Sequence, residues 1–286
     1  MAYKFRAAIN YNPQASYWVV GFDAGPGDVG YAANSARASW TLYDRVSGNG
    51  NAWDGAYGKD ASGNGVFVFT NGSSTGELTV SSTDITDGNL WTKINIPGDL
   101  GDNRFQAAAW SEHSNPSSPA GVWLFGSKQG NIYRTADGFS SWTNLSLPSQ
   151  DSNSIFSIAG NGSGKFVTGQ DDRMLISTDD GASFSSSQPF TFETLAGVAY
   201  TSQTWIVAYT KSGESNLFAR SAADSDLTTW SSEVDLGIAK PASADGNHDP
   251  GPRANIAAAI GRVVITSNKI AAIARIGVSG TTISNL

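Results

Sequence analysis

SIFSIAGNGSGKFVTGQDDRMLISTDDGASFSSSQPF, residues 154–190, decides how the chain is read. Small and apolar residues end at Ile158 and Ala159, and Gly160-Asn161-Gly162-Ser163-Gly164 is a glycine-rich turn. A short run, Phe166-Val167-Thr168-Gly169, follows, then a polar turn and a second run, Met174-Leu175-Ile176-Ser177. An Asp-Gly turn closes on Phe184. These are three strand signals separated by turn signals, with a fourth strand due after them. The phrase recurs along the chain, so the fold is a question about one repeated unit.

Two marks count the repeat. The first is an aromatic or apolar run after the turn: Tyr17-Trp18-Val19-Val20, Val66-Phe67-Val68-Phe69, Val122-Trp123-Leu124-Phe125, Phe166-Val167, Trp205-Ile206-Val207 and Val263-Val264-Ile265. The second is a closing aromatic, Trp40, Trp91, Trp142, Phe184 and Trp230, at intervals of 51, 51, 42 and 46 residues. A sixth unit fits after Arg253 without its aromatic. Periods of roughly 40–50 residues with several strands each predict propeller blades. One four-stranded blade cannot bury both faces alone, whereas stacking and ring closure can. The first strand of each unit should crowd the axis and carry small residues, as Ala7-Ala8, Gly55-Ala56, Ala107-Ala108-Ala109, Ala159, Ala196-Gly197 and Ala257-Ala258-Ala259 do. The expectation is an all-β, six-bladed β-propeller with four-stranded antiparallel blades, a single domain over residues 1–286. Its blades fall at about 1–45, 46–97, 98–148, 149–190, 191–236 and 254–286, with a long loop at 237–253. Unit six holds four strands of its own, so the ring should close by packing on unit one. Exchange of residues 3–6 into unit six is the alternative.

Composition agrees and excludes. Forty per cent hydrophobic residues and nine Trp supply a core, and 32 Gly suit short strands and tight turns. The Ala- and Ile-rich stretch 254–276 imitates a helix, but Gly261 and Val263-Val264-Ile265 favour strands. A net charge of −7 with scattered Lys and Arg argues against nucleic-acid binding. No apolar run is long enough to insert in a membrane as a helix. MAYKFRAAINY lacks the features of a signal peptide, so the chain reads as made in a cytoplasm, export needing another route. The absence of Cys removes disulfides, thiolate metal sites and Cys nucleophiles together.

The phrase GNGSGKFVTG…ISTDDGASF resembles the sialidase-like, Asp-box propeller repeat, whose form is S-x-D-x-G-x-x-W/F. Ser177, Asp179, Gly181 and Phe184 match it in full. Unit three reads as Asp137-Gly138 with one extra residue before Trp142, unit two keeps Asp87-Gly88 and Trp91, and unit five (Asp224-Ser225-Asp226 to Trp230) is degenerate. The stretch GAYGKDASGNGVFVF, residues 55–69, also resembles repeats common in bacterial and bacteriophage proteins. The box is expected to be structural: its Asp and Ser hydrogen-bond the turn, its Gly takes positive φ, and its aromatic packs into the blade. The resemblance implies that it lies opposite the active-site face.

The resemblance also frames an enzyme reading. Propeller sialidases use an arginine cluster, an acid/base carboxylate and a Tyr–Glu pair. Arg6, Arg104 and Arg253 precede or open first strands, and Asp54 and Glu193 stand at equivalent points. Converging at the channel mouth, these five would bind an anion; otherwise they solvate the rim and pair among themselves. No Tyr–Glu pair is assignable, and Phe5-Arg6-Ala7-Ala8 replaces the family's Arg-Ile-Pro pattern. His113 and His248, the only histidines, belong to turns on opposite faces. Asp245-Gly246-Asn247-His248-Asp249 reads as a solvated loop, and no metal or cofactor is expected. No Ser–His–Asp arrangement and no phosphate loop is evident. Trp18, Trp40, Trp91, Trp123, Trp142, Trp205 and Trp230 fall on repeat positions and are expected in the core; Trp53 and Trp110 are left to the channel or surface.

The function expected is therefore a non-catalytic interaction module. A Cys-free, acidic, Gly/Ser/Thr-rich propeller resembles bacteriophage virion proteins, which implies a capsid-decoration, surface or tail-associated component with other virion proteins and a host-surface glycan as partners. A sialidase-like glycoside hydrolase acting at the Arg-bearing mouth is the alternative. A bacterial periplasmic or surface assembly factor, which would need a lost leader sequence, is the third reading.

Overall fold

The computed structural model describes residues 4–12, 17–23, 29–33, 35, 39–43, 52–71, 76–81, 85, 91–96, 104–148, 153–240, 254–259, 262–267, 273–279 and 282–285. Among these the fold is all-β, in four-stranded antiparallel sheets and with no α-helix. Sheet one joins β1 (Lys4–Asn12), β2 (Tyr17–Asp23), β3 (Val29–Ala33) and β4 (Thr41–Tyr43). Sheet two joins β5 (Ala52–Lys59), β6 (Gly65–Asn71), β7 (Glu77–Val80) and β8 (Thr92–Asn95). Sheet three joins β9 (Phe105–Ser111), β10 (Val122–Ser127), β11 (Ile132–Thr135) and β12 (Thr143–Leu145). Sheet four joins β13 (Ile158–Gly160), β14 (Phe166–Gln170), β15 (Arg173–Ser177) and β16 (Ser185–Ser187). Sheet five joins β17 (Thr194–Thr201), β18 (Thr204–Thr210), β19 (Asn216–Ala223) and β20 (Val234–Ala239). Sheet six joins β21 (Ala254–Ala259), β22 (Arg262–Ser267), β23 (Ile273–Ser279) and β24 (Thr282–Asn285).

Every strand pairs only with its neighbours in sequence, so each sheet is a plain meander. The Ala- and Ile-rich stretch forms β21 to β23, strands as its Val-Val-Ile core requires. β24 pairs with β23, and β1 with β2, so the described part of the N-terminal strand does not join sheet six.

The alternation of side chains across a strand explains why the sheets stack. In β10, Trp123 and Phe125 face a cluster shared with Val66, Val68 and Leu78 of sheet two. Val122 and Leu124 face the other way, into a cluster with Ile158, Phe166 and Leu175 of sheet four. Sheets four and five meet through Val167, Met174, Trp205 and Tyr209, and sheets five and six through Ile206, Leu217, Ile265 and Ile283. Val19 and Val29 meet Phe67, Phe69 and Trp91 between sheets one and two. The core is thus a series of layers between sheets, each buried side chain worth roughly 1.5–3 kcal/mol. β5 lies beside β1, β9 beside β5, β13 beside β9, β17 beside β13, β21 beside β17 and β1 beside β21.

Two expectations about tryptophans are corrected. Trp53 is buried, and Trp110 packs half-buried against Trp123 between sheets two and three, so both belong to the interior. Trp40, expected in the core, is 40% exposed. The closing aromatics Trp91, Trp142, Phe184 and Trp230 each pack into the layer shared with the preceding sheet. In the paired registers of the first hairpins, five residues separate Lys59 from Gly65, ten separate Ser111 from Val122 and five separate Gly160 from Phe166. Only two residues separate Ala259 from Arg262 in sheet six, which lies beside sheet one.

Four of the innermost strands, but not β13 or β21, carry an irregularity that composition does not reveal. Ala52 stands opposite Asn71 and Asp54 opposite Thr70, leaving Trp53 as an extra residue. Gln106 and Ala196 are extra in the same way in β9 and β17, and β1 slips register between Phe5 and Ile9. Such β-bulges bend a strand and re-aim one side chain out of the alternation.

Candidate functional site

Of the predicted mouth residues, those among the described residues stand in or just before first strands. Arg6 lies in the irregular segment of β1. Asp54 follows the bulge of β5, and its Oδ2 accepts the Ala108 N–H of β9 at 2.9 Å. Its own N–H donates to Thr70 Oγ1 at 2.9 Å. Sheets four and five repeat the device: Ser157 Oγ accepts Val198 N–H at 3.0 Å. Asp54 therefore ties one sheet to the next. Arg104, just before β9, holds its guanidinium 5.9 Å from the Trp53 ring centre. Glu193 lies before β17, where it pairs with Lys240 and accepts the Thr210 hydroxyl at 3.3 Å. The contact with Lys240, the largest influence, holds the Glu193 carboxyl below its usual range. Arg253, His248 and the 245–249 cluster lie outside the described residues, as does most of the 237–253 loop. The described contacts thus divide the predicted set: Asp54 and Arg104 at the seam of sheets two and three, Glu193 within sheet five.

Sheet five holds a cluster that sequence reading missed. Tyr209 Oη donates to Glu233 Oε2 at 2.7 Å and accepts Arg220 Nε–H at 3.0 Å. Lys211 Nζ donates to Glu233 Oε1 at 2.9 Å, and Arg220 Nη1 to Ser231 O at 2.6 Å. Arg220 also lies 5.0 Å from the Phe190 ring centre. A Tyr–Glu pair with an arginine therefore exists, from residues 24 and 11 positions apart that no spacing rule joins. Its chemistry is wrong for attack. Tyr209 is fully buried, and burial, with the Glu233 hydrogen bond, pushes its hydroxyl pKa well up. A nucleophile needs access and a lowered pKa.

A second set of contacts lies in the turns that close the third strands. In sheet four, Ser177 Oγ donates to Asp179 Oδ1 at 2.7 Å and accepts Gly181 N–H at 3.0 Å. Ser183 donates to Asp179 through its N–H at 3.0 Å and its hydroxyl at 2.6 Å. Sheet three repeats this set. Thr135 Oγ1 donates to Asp137 Oδ1 at 2.8 Å and accepts Phe139 N–H at 3.2 Å, and Ser141 donates twice to Asp137. Phe139 therefore occupies the place of Gly181, with φ of 77° against 69°. Gly138 occupies the place of Asp180, at 66° against 58°. The turn of unit three has no extra residue, correcting the sequence register: its glycine simply precedes the position where the repeat expects one.

His113 and Ser114, in the insertion between β9 and β10, meet Asp180 of the sheet-four turn. Asp180 Oδ1 accepts Ser114 N–H at 2.8 Å, and Oδ2 accepts the Ser114 hydroxyl. His113 Nδ1 lies 3.3 Å from Oδ2 and accepts Asn115 N–H at 2.9 Å. The three residue types of a hydrolytic triad are together, but the serine hydroxyl bonds the carboxylate rather than the imidazole, so no base activates it. No group of three or more His, Cys, Asp or Glu side chains suited to a metal occurs among the described residues.

The carboxyls of both sets share one electrostatic signature. Burial alone would raise Asp137, Asp179, Asp224 and Glu233, but hydrogen bonds from neighbouring hydroxyls, an indole or a lysine outweigh it and lower them. Asp226, bonded by the Thr228 and Thr229 hydroxyls, is held at about 2. A carboxyl lowered in the folded state binds its proton more tightly in the unfolded chain. Stability is then complete above the ordinary carboxylate range and is lost as pH falls through it. The thermal midpoint is expected to drop by about 5 °C or more between about pH 6 and pH 3. A flat profile in a calorimetric series over that range would contradict the assigned networks.

No family model and no curated protein matches the chain. Among solved structures, a chain from the crystal structure of a mitotic checkpoint complex superposes with a TM-score of 0.63 at 10% identity, over 98% of this chain and 76% of that one. The computationally designed Ika8 protein superposes with a TM-score of 0.55 at 11% identity, over 98% of this chain and 70% of that one. At such identities the likeness concerns the fold alone. It defines the class: a propeller-like all-β protein.

Proposed function

We propose that the chain is a closed six-bladed β-propeller of the Asp-box kind, acting as a non-catalytic interaction module. Ring closure is supported by the succession of innermost strands, in which β21 returns to lie beside β1. The Asp-box reading is supported by the matching hydrogen bonds around Asp137 and Asp179. One observation carries the functional reading: among the described residues, the carboxylates at the first strands and in sheet five are used up within the protein. Asp54 holds the Ala108 amide, Glu193 holds Lys240, and Glu233 holds Tyr209 and Lys211. A rigid ring that spends its charges on itself presents loops and does not turn over substrate.

The role we assign is that of a bacteriophage virion component, at a capsid surface or tail, contacting other virion proteins and a host-surface glycan. Its acidic, Cys-free composition supports this. Mass spectrometry of gradient-purified virus particles from its source is expected to find the polypeptide at a stoichiometric level. Its absence from the particles would sink the virion assignment.

A sialidase-like hydrolase is the second reading, favoured by the Tyr209–Glu233–Arg220 contacts. The burial and raised pKa of Tyr209 weigh against it.

A further inference from the structure

The insertion between β9 and β10 is the longest first hairpin in the paired registers. Ten residues separate Ser111 from Val122, against two to five in the other five sheets. A hairpin can close on two residues, so the fold does not need the excess. The tip is nevertheless fixed. Ser118 N–H donates to Asn115 O at 3.1 Å and Gly121 N–H to Ser118 O at 3.3 Å, making two successive turns. Asn115 Oδ1 accepts Ser117 N–H at 3.0 Å, and Ser118 Oγ donates to Ala136 O of the β11–β12 turn at 3.2 Å. Asp180 holds Ser114 from sheet four. Asn115, Pro116, Ser117 and Pro119 stay exposed. From Ser114 to Gly121 there is no charged and no aromatic residue, in a chain of net charge −7.

We propose that Asn115 to Pro119 form the docking element of the module, seated in an uncharged, apolar groove on another virion protein. The inference rests on the virion assignment and adds the surface and the kind of partner. A long, exposed loop held by a rigid scaffold is where recognition is placed. Its fixed turns remove an ordering cost from binding, and the Pro116 and Pro119 rings bring apolar surface already set in place. The missing charge selects the groove: a charged surface would be desolvated against the tip with no counter-ion to compensate it. The tip also separates the two partners assigned above. A small-ligand site is concave and lined by aromatic side chains, and this tip has none, so it suits a protein and not a glycan. Pro116-Ser117-Ser118-Pro119 has the spacing of a polyproline motif, but the two turns exclude that extended helix, so the groove must accept a turn.

The chain has no Cys, so Ser117→Cys supplies a single thiol on the tip. In particles assembled with this variant, a maleimide is expected to label it about tenfold more slowly than in the dilute purified chain. Equal rates would overturn the proposal. Slow labelling of the purified chain that speeds up on dilution would seat the tip in a second copy, which overturns it too. Pro116→Asp puts a charge on the tip and is expected to lower the copies per particle about fivefold or more. The thermal midpoint of the purified variant should stay within about 1 °C of the native value, because the position is exposed. Undiminished incorporation of Pro116→Asp would overturn the proposal. Absence of the native chain from the particles defeats the virion assignment and this inference together, whereas its presence with an open Ser117→Cys thiol defeats this inference alone.

Discussion

Gly138→Ala is expected to destabilise the protein by ~3–5 kcal/mol. Two costs add. The residue sits at a φ of 66°, where a side chain is strained by about 1 kcal/mol or more. Its new Cβ would also stand 2.3 Å from the backbone nitrogen of Ala61 and 2.5 Å from its Cα. That backbone cannot easily yield. Asp60 Oδ1 accepts Ser62 N–H at 2.9 Å and Asn64 N–H at 2.8 Å, and Trp123 Nε1 donates to Lys59 O at 2.9 Å. The clash therefore pushes sheet three away from sheet two, along the layer that holds Trp123, Phe125 and Trp142. Gly162→Ala separates the two costs: its φ is 77°, but no atom lies within 4 Å of the added Cβ. It should cost only about 1 kcal/mol. Equal unfolding midpoints for the two variants would contradict the interlocked packing of hairpin on turn.

Asp180→Ala is expected to cost ~3 kcal/mol. The Asp180 carboxylate accepts Ser114 N–H and the Ser114 hydroxyl and lies beside His113, so it anchors the sheet-three insertion onto sheet four. Two residues earlier, at the same end of that loop, Glu112 is tied to sheet two by the Lys59–Glu112 ion pair, so the insertion touches three sheets. Asp180 also sits at a φ of 58°, a conformation aspartate accepts better than alanine does. Asp180→Gly loses the same hydrogen bonds without that strain and should be milder by about 1 kcal/mol. Chemical denaturation of both variants checks the order. If Asp180→Ala unfolds like the native protein, the bridge contributes nothing and the insertion is an ordinary surface loop.

The parts of the fold that could be read from sequence are those with a short period. Alternation in Val122-Trp123-Leu124-Phe125 and the closing aromatics reported sheets and their order, because both depend on residues near one another in the chain. Trp40 misled because a place in the repeat does not fix burial, and its side chain is 40% exposed. The turn of unit three misled because Gly138 looked like the repeat's glycine. Hydrogen bonding shows Phe139 in that place, at a φ that sequence rules reserve for glycine. The bulges at Trp53 and Gln106 left no mark in composition, since an extra residue in one strand is visible only against its partner. The same holds for the chemistry: Tyr209 and Glu233 meet across two strands, and Ser114 and Asp180 lie 66 positions apart. The resemblance to a hydrolase repeat pointed to the right residue types. Burial and wiring give them structural work.

Closure of the ring underlies the rest of the account, and small-angle X-ray scattering tests it most directly. A closed, compact chain of 286 residues should give a radius of gyration of about 19 Å and a single-peaked distance distribution. A clearly larger radius with an extended tail would mean that sheet six does not return to sheet one. The molecule would then be an open stack of blades.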